Sequence, residues 1–86
     1  KAELFFFDGR ITDEEIPLIL ALSAPGTGYL FDDFHPGPTG KGVANVAKLS
    51  PSLKDYALVK PYAPFKDRTT LAMLVPLSLH SQEPAA

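Results

Sequence analysis

The sequence predicts one small α+β domain, with a small antiparallel or mixed sheet of roughly three to five strands and two or three short helices packed on one face. Three observations lead there. A chain of 86 residues with 45% hydrophobic and 21% charged residues has the length and composition of one globular core. Two segments, near the beginning and the end, carry strand patterns. Between them lie stretches with helical spacing and helix-start chemistry.

The first strand is Ala2 to Phe7, where Leu4, Phe5, Phe6 and Phe7 run in succession and Asp8-Gly9 supplies a turn. An uninterrupted apolar run reads as a central strand covered on both faces. Thr12 stands three residues before Glu15, the capping-box spacing, with Asp13 and Glu14 adding negative charge where a helix begins. A helix is expected over 13–23, against the opposition of Pro17, whose ring and missing N–H do not suit a helix interior. The competing reading ends a single turn at Pro17 and makes Leu18 to Ala24 a buried strand.

Ala24-Pro25-Gly26-Thr27-Gly28 is a cluster of breakers, and Tyr29-Leu30-Phe31 after it reads as a short strand. Asp32 to Gly42 is a long connection holding two prolines and three glycines, expected to be mobile. Val43, Val46 and Ala47 recur at helical spacing, Ser50-Pro51 is a cap followed by a first-turn proline, and Leu53, Tyr56 and Ala57 continue the period, so one or two short helices are expected within 43–57. Ala57 to Tyr62 reads as a strand or strand edge ahead of Pro61 and Pro64.

The clearest periodicity comes last. Leu71, Met73, Val75, Leu77 and Leu79 alternate with Ala72, Leu74, Pro76 and Ser78, which predicts a strand over 70–79 with one fully apolar face. Pro76 cannot donate to a ladder, so an edge position or a bulge is expected there. Residues 1–80 are read as the domain and 81–86 as a flexible C-terminal tail.

Composition also excludes. The formal net charge of −2, with basic and acidic residues interspersed, offers no stripe for a phosphate backbone, so no nucleic-acid partner is expected. The apolar run Ile16 to Leu22 is far short of the about 20 residues needed to cross a bilayer, and no membrane insertion is expected. With no cysteine, neither a disulfide nor a thiolate metal site can add stability. A cytoplasmic location is favoured, with a removed signal peptide as the alternative.

Candidate chemistry concentrates in the long loop. Gly37-Pro38-Thr39-Gly40-Lys41-Gly42 places Gly-Lys ahead of a helix, as in phosphate-cradling loops, but His35 stands where that pattern needs its first glycine and Gly42 where it needs Ser or Thr. What survives is a candidate ligand- or anion-binding loop comprising Asp32, Asp33, His35, Thr39, Gly40, Lys41 and Gly42. Asp32, Asp33 and His35 could supply cation ligands, but a metal site needs three or more that converge, this cluster sits on a loop with no other histidine except His80 near the tail, and turn chemistry accounts for the aspartates. Ser23 has no nucleophile elbow, and Asp13, Glu14 and Glu15 are explained by the helix start. No catalytic residue, no metal site and no cofactor are expected.

The apolar excess in so short a chain points to a non-catalytic protein-interaction or regulatory module, self-associating as a homodimer or binding another protein. Its expected interface is the face Leu71, Met73, Val75, Leu77 and Leu79. The alternative is a small-molecule or anion-binding domain, or an enzyme subunit, using the loop 32–42.

Overall fold

In a computed structural model that describes residues 1–60 and 70–80, the chain forms a four-stranded mixed sheet with its helices against it. The elements run β1 (Ala2–Phe7), α1 (Glu15–Ala21), β2 (Ser23–Phe31), α2 (Lys41–Leu49), one turn of 3₁₀ helix (Ser50–Ser52), β3 (Tyr56–Val59), β4 (Ala72–Pro76) and the single turn α3 (Leu77–His80). The strand order is β1-β2-β4-β3. β1 and β2 are parallel, joined across α1, while β4 is antiparallel to both β2 and β3. The expected small α+β architecture is therefore present, with a mixed sheet.

The core lies on one face. Phe5 and Phe7 of β1, Tyr29 and Phe31 of β2, Leu74 of β4 and Tyr56 of β3 point to the side where Ile16 and Ile19 of α1 and Val46 and Leu49 of α2 pack, joined by Ile11. Tyr29, Phe31 and Leu49 are wholly buried. The aromatic side chains meet across strands, stacked with ring centroids 5.7 Å apart for Phe5 and Tyr29 and 5.4 Å for Phe7 and Phe31, and tilted at 5.6 Å for Tyr29 and Tyr56. Such pairs add to the area they bury.

Several expectations need correction. β1 is an outermost strand, not a central one, and Leu4 and Phe6 are more than half exposed. The apolar run of β1 is thus only half explained by the core. The first helix is shorter than 13–23, and its late start resolves Pro17: in a helix beginning at Glu15, Pro17 falls in the first turn, where its N–H would have had no partner within the helix. Thr12 and Glu15 do meet, the Thr12 N–H and hydroxyl donating to Glu15 Oε1 at 2.8 and 3.0 Å.

β2 runs through the breaker cluster instead of starting after it. Ala2 pairs with Ser23 and Leu4 with Gly28, so the intervening residues of β2 bulge out of register. Thr27, buried, closes the bulge by accepting the Ala24 N–H at 2.8 Å and donating to the Ala2 carbonyl at 2.6 Å. Ser50-Pro51 opens one 3₁₀ turn, and Tyr56 and Ala57 belong to β3 instead of continuing a helix.

The last strand stops at Pro76, and Leu77 to His80 form a helical turn, so Leu77 and Leu79 leave the strand face that the alternation assigned to them. The side chain of Leu79 lies outside the described residues, as does the tail 81–86 and the part of the expected 57–62 strand from residue 61 onward. β4 sits between β2 and β3, but β2 pairs with it only as far as Leu74, so the half that holds Pro76 has a strand on the β3 side alone, the local edge that its missing N–H requires. Finally, the helices cover the other side of β4 from the one the alternation favoured: Ala72, Leu74 and Pro76 are buried, and Leu71, Met73 and Val75 are half-buried.

Candidate functional site

Two regions remain after the core is accounted for: the loop end of the parallel strand pair and the face of the sheet turned away from α1 and α2.

Parallel pairing brings the C-terminal ends of β1 and β2 together. Phe7 pairs with Phe31, and the Asp32 N–H donates to the Phe7 carbonyl at 3.0 Å, so Asp8 and Asp32 emerge side by side. Asp33 follows in a left-handed conformation (φ 54°), which a short polar side chain tolerates. Carboxylate oxygens of Asp8, Asp32 and Asp33 all lie within 4.8 Å of one another. α2 starts against them: the Gly42 N–H donates to the Asp33 carbonyl at 3.0 Å, and Lys41 Nζ stands 3.0 Å from Asp33 Oδ2. Gly42 has to be glycine, because a Cβ there would run into the Asp32 carbonyl and the Phe34 backbone. Gly40, buried at the helix start, is pressed still more closely by the His35 carbonyl.

The charges in this cluster are compensated locally. The Asp33 N–H holds the Asp32 carboxyl below its ordinary range against the opposing effect of desolvation, helped by Asp8, Thr70 and the positive charge of Lys41. The hydrogen bond to Asp33 raises Lys41, and the fields of Asp33, Asp8 and Asp32 add to it against desolvation. Three carboxylates are a donor set suited to a hard cation with oxygen ligands. Here their negative charge is met by one ammonium, one amide and the Thr70 hydroxyl.

Of the residues singled out in the loop, Asp32, Asp33, Lys41 and Gly42 come together. His35 does not join them. Its Nδ1 faces the Pro36 carbonyl at 3.0 Å, a contact that needs the proton on Nδ1. The exposed Thr39 uses its carbonyl to accept the Lys41 N–H at 2.9 Å, and the Gly40 N–H goes to the Gly37 carbonyl at 3.0 Å. The amides an anion would need at this helix start are therefore engaged within the loop. Nor does the loop hang free, since Arg10 Nη2 also donates to the Pro38 carbonyl at 2.6 Å and the Phe34 N–H to the Thr70 carbonyl at 2.7 Å. Asp8 was missed from the sequence, where it reads as a turn residue; only the parallel register makes it a neighbour of Asp32.

The second region is the open face. Register places Leu4 and Phe6 of β1, Gly28 and Leu30 of β2, Met73 and Val75 of β4, and Ala57 and Val59 of β3 on the side opposite the core. None of these side chains is charged. Phe6 is 56% exposed, Leu4 51% and Val59 37%. Met73 folds over Gly28, its methyl occupying the place a Cβ would take, with Leu4 beside it. A shallow groove of about 250 Å³ runs between Leu30, Val59, Lys60, Leu71, Ala72 and Met73. Two of the five residues expected to form an interface, Met73 and Val75, are on this face by register, and Leu71 lines its groove.

No family model, curated protein or solved structure matches this chain. The reading of its function therefore rests on these two regions. Among the described residues no helix is long and apolar enough to cross a membrane.

Proposed function

We propose that this chain is a protein-interaction module and that the open face of its sheet is the docking surface. The observation that carries the reading is the exposure of Phe6 and Leu4 beside Leu30, Met73, Val75 and Val59, on a face whose described strand residues carry no charge, with Lys60 at the end of its groove. Single exposed apolar residues need no explanation, whereas a contiguous apolar patch on one side of a sheet marks a contact surface. Antiparallel and mixed sheets that face water on one side normally alternate apolar with polar residues, and this one does not. The loop cluster supports function less well, because its amides and its lysine are already engaged inside the chain.

An apolar fluorescent probe, 8-anilinonaphthalene-1-sulfonate, tests the reading at low micromolar protein concentration. The folded wild type is expected to enhance and blue-shift its emission, and Phe6→Asp to reduce the enhancement at least threefold with an unchanged far-UV circular dichroism spectrum. A folded wild type that leaves the probe dark has no accessible apolar face and overturns the reading.

A further inference from the structure

We draw no further inference here: the strongest candidate, the cluster of the Asp8, Asp32 and Asp33 carboxylates at the C-terminal ends of β1 and β2, has its charge met inside the chain by Lys41, the Asp33 N–H and Thr70, and among the described residues no buried, unpartnered polar side chain points to a ligand there.

Discussion

The side chain of Asn45 is bonded to the backbone of Ile11: Oδ1 accepts the Ile11 N–H at 2.9 Å, while Nδ2 donates to the Gly9 carbonyl at 2.8 Å. One amide in the middle of α2 thus holds the segment between β1 and α1, and Asn45 is 1% exposed. A buried amide with both ends satisfied fixes a unique arrangement, because any shift of α2 would strand the donor of Ile11.

Removing that amide should therefore cost more than its volume suggests. Asn45→Ala and Asn45→Leu are both expected to lower unfolding free energy by about 2–3 kcal/mol, since each leaves the buried Ile11 N–H without its acceptor. Urea denaturation with an unchanged slope measures it. Full stability in Asn45→Leu would mean that packing, not hydrogen bonding, is what the residue contributes.

Gly42→Ala sets a methyl group against the Asp32 carbonyl and the Phe34 backbone, none of which is a flexible side-chain end. Overpacking of this kind costs about 1–3 kcal/mol. Gly26→Ala is the control, with nothing near its Cβ position, and should stay within about 0.5 kcal/mol of wild type. Thermal unfolding of the two side by side should separate them; equal melting temperatures would show that α2 does not press on the Asp32–Phe34 turn.

Glu15 gives a pH signature. Hydrogen bonds from the Thr12 N–H, and secondarily from its hydroxyl, lower the Glu15 carboxyl below its ordinary 4.5. Because the folded value is the lower one, the stabilisation is present above the unfolded pKa and is lost as pH falls through the folded one. Denaturation midpoints measured on descending from about pH 5 to about pH 3 should fall less steeply in Glu15→Gln than in wild type. Parallel slopes in the two proteins would remove Thr12 and Glu15 from the acid response.

What could be read in the sequence depended on whether a residue's partner lay nearby. The Thr12–Glu15 contact, the helical spacing of Val43 and Val46, and the alternation through Met73 and Val75 are local patterns, and each marks a real element. The parallel register of Phe7 with Phe31 is not local, so neither the closeness of Asp8 to Asp32 nor the outer position of β1 is legible in the sequence. Alternation also says that a strand has two faces without saying which one the helices cover. In β4 the smaller set, Ala72, Leu74 and Pro76, is the buried one, because α1 and α2 bring their own bulk in Ile19 and Leu49. The loop 32–42 looked slack on its glycines and prolines, yet two of those glycines are where backbone meets backbone most closely.

The strand order also sets a sequence of events in folding. β4 is the last of the described strands and the one inserted between β2 and β3. Tyr29 meets Leu74 across 45 residues of chain, so this pairing closes the longest loop in the sheet and should form late. Until β4 has left the ribosome, the ladder side of β2 that carries Tyr29 and Phe31 has no neighbour. The nascent chain then presents an unpaired strand edge beside its own Leu4-to-Phe7 run, and that interval is when it is most exposed to pairing with the wrong strand.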